Sequence, residues 1–217
     1  MTMSKKALSA GALAPVLALA LSACARDGQI ADGGVYVTRS GCPQVAIPAA
    51  TGDMTLFDPA TSREARAIDV VATITNVRAT CGEETQNLVS TAVFDVVASR
   101  RDPGPARQVV LPFFAVAMQG GTNIIAKKVG AVALNFPAGQ LRAQTSGQAT
   151  VRVTRAAVAL PADIQRELTR ERRPGDADAA VDPLADPKVR AAVARATYEQ
   201  LIGFQLTPDQ LRYNATR

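Results

Sequence analysis

Between Val35 and Leu160 the chain reads as a series of β runs, and nothing between them reads as the helix a parallel crossover requires. The clearest run is Ala67 to Ala79, rich in Val, Ile and Thr. Its Ile68, Val70, Ala72 and Ile74 alternate with Asp69, Val71, Thr73 and Thr75, which predicts one apolar face and one mixed face. Leu88 to Ser99 repeats the theme, with Val89, Val93 and Val97 alternating with Phe94 and Val96. Pro103, Gly104 and Pro105 break the pattern. Val109 to Met118 follows, apolar on both faces, with Pro112 marking a bulge or an edge. Gly120-Gly121 signals a hairpin into Ile124 to Phe136, and a loop at Pro137 to Gly147 precedes a last run, Ala149 to Val158. Shorter candidates lie near Val35–Thr38, Val45–Ile47 and Met54–Phe57. Seven or eight sequential strands of this kind predict a mainly β fold: an antiparallel, immunoglobulin- or fibronectin-like β-sandwich over 35–160.

Ahead of this domain, Lys5 and Lys6 precede an apolar run from Ala7 to Leu21, which small residues and Cys24 close. That is the grammar of an export signal, with an apolar run too short to read first as a membrane span. The ending Leu21-Ser22-Ala23-Cys24 resembles the lipobox of bacterial lipoproteins. The resemblance implies a signal peptide at 1–23, a diacylglyceryl group on the Cys24 sulfur, cleavage before Cys24 and acylation of the new amino terminus with a fatty acid such as palmitate. Each chain contributes about 0.8 kcal/mol per buried methylene, so several on one cysteine hold a protein at a membrane. Residues 24–34 then read as a polar tether. In such lipoproteins an aspartate just after the lipidated cysteine favours the inner membrane. Here Ala25 and Arg26 follow, and Asp27 comes one place later. The expected location is the outer membrane, facing the periplasm.

Cysteine parity supports this. Of three cysteines, lipidating Cys24 leaves Cys42 and Cys81 as a pair for an oxidising compartment to join. Closing a loop of that length contributes about 3–4 kcal/mol by the chain-entropy estimate. A redox role would ordinarily use Cys-x-x-Cys spacing, which the chain lacks.

After Leu160 the composition turns helical. Pro161 to Arg173 has proline early, Asp163 in the first turn and basic residues at its end. Pro174 to Pro187 reads as a linker. Asp186-Pro187 opens a second helix, expected to run to about Ile202, and Thr207-Pro-Asp-Gln210 resembles a capping box. The expectation is a helical tail over 161–217, packed on the sandwich or on a partner.

The chain has no histidine, which excludes Ser-His-Asp and Cys-His catalysis and His-ligated zinc or haem. No Gly-rich phosphate loop appears, and no cofactor or metal is implied. The net charge of +5 falls by two when Lys5 and Lys6 leave with the signal, and the bases are scattered, so nucleic acid is not an expected partner. Asp176, Asp178 and Asp182 superficially suggest a calcium loop, but Ala180, Val181 and Pro187 stand where ligands and the turn glycine are needed. Glu83 and Glu84 are adjacent and so face opposite ways in an extended chain. Arg170, Arg172 and Arg173 are candidates for contact with an anionic surface or a partner, or equally the basic end of a helix. Three readings follow. The first is a non-enzymatic binding or envelope-assembly lipoprotein with another envelope protein as partner. The second is a carrier of an apolar ligand between the sheets, motivated by Val109–Met118. The third is a hydrolase using carboxylates or Ser/Lys, with Lys127 or Lys128 as base.

Overall fold

The computed structural model describes residues 30–31, 34–35, 40–173 and 175–216. Strands β1 (Ile30–Ala31) and β2 (Gly34–Val35) pair antiparallel. The larger of two compact units comprises 39–168 and 181–217 and holds the β domain, while the smaller takes in 169–180. The domain's strands are β3 (Gln44–Ala46), β4 (Asp53–Phe57), β5 (Ile68–Glu83), β6 (Asn87–Arg100), β7 (Arg107–Gln119), β8 (Asn123–Phe136), β9 (Arg142–Thr154) and β10 (Tyr198–Phe204). They form two four-stranded sheets, β3-β10-β7-β8 and β4-β5-β6-β9, stacked as a sandwich.

The inward rows follow the period of two. Val70, Ala72 and Ile74 from β5 meet Ala92, Phe94 and Val96 from β6, with Leu111 and Phe113 from β7 and Leu134 and Phe136 from β8 opposite. Phe94 and Phe113 cross edge to face with ring centres 5.1 Å apart. Two glycines make room for them: a methyl group on Gly130 would come within 2.6 Å of the Phe113 ring, and one on Gly147 would overlap Phe94. In β5 the alternation breaks between Thr75 and Arg78, where Asn76 takes a positive φ of 51° and Val77 turns onto the core. Gly120 (φ 63°) and Gly121 (φ 76°) turn the β7–β8 hairpin through a three-residue loop that closes on Gln119 and Asn123.

Several expectations change. Strand β9 begins at Arg142, inside the segment read as a loop, and ends at Thr154. Pro112 lies neither at an edge nor at the bulge, which falls at Ala117/Met118. It sits where β10 runs out, and its carbonyl accepts the Gln205 N–H at 2.9 Å. The largest correction concerns the tail. Helix α1 (Arg155–Val158) is a single turn, and α2 (Ala162–Thr169) stops before the arginines. Helix α3 (Pro187–Arg195) starts at the Asp186 cap but ends seven residues short of Ile202. Tyr198–Phe204 is strand β10 instead, antiparallel to β7 and parallel to β3, so the sandwich is not purely antiparallel and does not end at residue 160. The physical reason is the period. Tyr198, Gln200, Ile202 and Phe204 are buried, a two-residue repeat that no helix face accommodates.

Helices α2 and α3 bury Ile164, Val189 and Ala192 against each other and are tied by Lys188 Nζ to Asp163 at 2.9 Å. In α4 (Pro208–Thr216) the capping box closes both ways, Gln210 N–H to Thr207 Oγ1 and Thr207 N–H to Gln210 Oε1. Tyr213 meets Phe57 edge to face, and Asn214 Nδ2 donates to the Ala50 and Asp53 carbonyls, so α4 covers the β4 edge.

Candidate functional site

Cys24, the proposed lipidation residue, lies outside the described residues. Cys42 and Cys81 form a disulfide with Cα atoms 6.1 Å apart, joining the segment before β3 to the far end of β5. A shallow depression of about 660 Å³ opens beside it, lined in part by Ser40, Glu83, Leu88 and Arg155. Glu83 and Glu84 do not face each other there: Glu83 pairs with Arg155 at 3.0 Å and Glu84 with Arg152 at 3.8 Å.

The remaining sequence candidates are occupied locally. Arg170 pairs with Asp178, Arg173 with Glu171 at 3.8 Å, and Arg172 donates to the Arg170 carbonyl. Asp176 accepts the Arg173 N–H, and Asp182 accepts the Leu184 N–H as a helix cap. The three arginines therefore follow α2 rather than ending it, and two of them already hold carboxylates.

At one end of the sandwich, Arg100 is buried and its guanidinium donates to four carbonyls, those of Gln140, Pro105, Gly104 and Pro137, at 2.7 to 3.1 Å. The same group lies over the Phe136 ring. It ties the β6–β7 and β8–β9 loops together. Nearby, Arg107 on β7 grips Asp69 on β5 with two hydrogen bonds, of 2.9 and 2.6 Å, across the two sheets. The Arg107 hydrogen bonds hold the Asp69 carboxyl below the usual carboxylate range against a partial burial penalty, helped by the charges of Arg101 and Arg100.

Among the described residues of the β domain, β8 is the edge with exposed large apolar side chains. Its C-terminal half is buried through Val132, Leu134 and Phe136, but its N-terminal half exposes Ile124 (62%), Ile125 (52%) and Val129 (60%) together with Lys127 and Lys128. Lys127 Nζ lies 5.5 Å above the Phe114 ring on the outer face. Lys128 lines a cleft of about 190 Å³ between the sheets, with Ala115, Ala117, Ala126, Thr150 and Arg152. That volume is below the ~300–1,000 Å³ of ordinary small-molecule sites. No acidic residue occurs anywhere from 107 to 154, a stretch that carries Arg107, Lys127, Lys128, Arg142 and Arg152. The signal for it in the sequence is the absence of acids over that window, which the spacing of the bases alone does not show.

No family model matches the chain, and comparison with curated proteins and with solved structures likewise finds no match. What the fold defines is a two-sheet sandwich with a cationic, partly apolar edge.

Proposed function

We propose that this chain is a non-enzymatic binding or envelope-assembly module, held by lipid on Cys24 at the outer membrane and presenting its sandwich to another envelope protein. The observation that carries the reading is the exposed apolar and cationic half of β8, on a domain whose other candidate groups are engaged in its own structure. Glu83 and Glu84 are ion-paired, and Lys127 rests on an aromatic ring, arrangements that serve stability rather than acid–base work. By analogy, immunoglobulin- and fibronectin-like sandwiches keep a closed core and offer edges and end loops to partners.

The test is crosslinking in native membranes followed by mass spectrometry, wild type beside Cys24→Ser. Support is one protein captured in stoichiometric amount from the membrane fraction, with Cys24→Ser moving to the soluble fraction or remaining unprocessed. Unchanged fractionation of Cys24→Ser removes the anchor, and absence of a protein partner removes the assembly role. Truncation at Leu160 is unsuitable as a probe because it deletes β10 from the core.

A further inference from the structure

Among the described residues the sandwich has four sheet edges, and three are short, covered or polar. Edge β3 is three residues long. Edge β4 is five residues long, bulged, and covered by α4. Edge β9 is long, but its outward row runs through polar residues including Arg142, Gln144, Ser146, Gln148 and Arg152. Edge β8 is fourteen residues long, and its exposed half sets Ile124, Ile125 and Val129 beside Lys127 and Lys128.

Pro112 reveals which backbone groups β8 offers. Its carbonyl accepts from Gln205, on the β10 side of β7. Pro112, Phe114 and Val116 share that parity, so their backbone groups face β10, and Phe114 and Val116 do pair there with Gly203 and Leu201. Their cross-strand partners in β8, Ala131, Val129 and Lys127, therefore turn their N–H and C=O groups away from β7, to the free edge. All three residues are exposed.

We propose that the exposed half of β8 is a strand-addition site for an extended segment of a partner protein that carries two adjacent acidic residues among apolar, β-forming ones. The inference rests on the binding-module reading and names its surface. Main-chain hydrogen bonds to Lys127, Val129 and Ala131 supply the ladder. Lys127 on the outer face and Lys128 on the inter-sheet face call for one carboxylate on each side of the added strand. A second copy of the chain is the poorer occupant. Antiparallel pairing of two exposed halves places both lysine pairs in one short ladder, with no acid from 107 to 154 to offset them. A lipid surface answers the charge but not the aligned backbone groups.

The test uses the full chain and a fluorescent eight-residue peptide with two central glutamates, flanked on each side by valine, threonine and valine. A control peptide has two central lysines. The glutamate peptide should bind and slow amide exchange at Val129 and Ala131. Val129→Pro removes an edge donor without touching the β7 ladder, and should weaken binding about tenfold or more. Lys127→Glu with Lys128→Glu should reverse the preference in favour of the lysine peptide, and this second variant carries the test should Val129→Pro not fold. Unaltered binding by the charge-reversed chain overturns the proposal. So does doubling of mass by the chain alone, or protection of the same amides by phosphatidylglycerol vesicles without peptide. Repeating the native-membrane crosslinking with Val129→Pro separates the two readings. A partner retained sinks the edge and leaves the binding module standing, whereas no partner with either chain sinks the binding module.

Discussion

Ser90 and Gln200 meet in the middle of the sandwich, Oγ to Oε1 at 2.8 Å, from strands in opposite sheets and 110 positions apart in the chain. Both side chains are fully buried, and Gln200 Nε2 also donates to the Ala149 carbonyl at 2.9 Å. One amide thus bonds β10 to both β6 and β9 in the facing sheet. Ser90→Ala leaves the Gln200 oxygen without its donor in an apolar interior and should cost about 1–3 kcal/mol. Gln200→Leu should cost at least as much, since a hydroxyl and a carbonyl both lose partners. The double variant should fall well short of the summed losses, because each single change leaves a group unsatisfied that the other removes. Urea unfolding of the four proteins measures this. Additive losses would show that the bond does not couple the sheets.

The same pair explains why β10 was not legible in the sequence while β5 to β8 were. Those four strands carry long runs rich in Val, Ile and Phe, alternating in β5 and β6 and apolar on both faces in β7, and their ends fall within a few residues of expectation. In β10 the inward row is Tyr198, Gln200, Ile202 and Phe204, and the glutamine removes the apolar signature at the centre of a seven-residue strand. Its burial becomes favourable only because Ser90 and Ala149 wait across the core, a long-range fact. The edge at β8 was hidden differently. Ile124, Ile125 and Val129 look like core residues, and only the order β3-β10-β7-β8 puts them outside. The disulfide was legible because parity needs no geometry.

Gly147 and Gly130 are the places where the core is least tolerant of addition. Gly147→Ala drives a methyl group into Phe94 and should cost about 1–3 kcal/mol. Phe94→Leu opens the space the methyl needs, so the double variant should be more stable than the sum of the single losses. Thermal unfolding of the set checks it, and full additivity would mean the strand shifts instead of the ring.

The Asp69–Arg107 bridge makes a signed prediction in pH. The Asp69 carboxyl sits below its ordinary range in the folded chain. Its contribution is therefore complete above the unfolded carboxylate value, ~3.9, and is lost as pH falls through the folded value. The stability gap between wild type and Asp69→Asn should be widest near neutral pH and should close on acidification below about pH 4. Urea midpoints taken from pH 7 to pH 3 report the gap. A gap that does not change with pH would assign the effect to packing.

Cys42 and Cys81 close a loop of 39 positions around β3, β4 and most of β5. Replacing both with serine should lower stability by up to about 3–4 kcal/mol. The loss should be accompanied by faster amide exchange where Thr80 faces Thr91 and Cys81 faces Ser90, while the Val70–Ile74 segment stays protected. Uniformly faster exchange would instead mean that the bridge supports the whole core.

Arg100 is a planar donor array built into one end of the sandwich, and its four carbonyl partners belong to two loops that otherwise share the single bond from Gly139 N–H to the Gly104 carbonyl. A lysine ammonium carries three donors on one nitrogen and cannot reach acceptors arranged around a guanidinium. Arg100→Lys should therefore lose about 1–3 kcal/mol while retaining the charge, and should speed amide exchange at Gly139 more than in β7 or β10. Stability equal to wild type would show that positive charge over the Phe136 ring, rather than the fork of hydrogen bonds, is what this end of the sandwich requires.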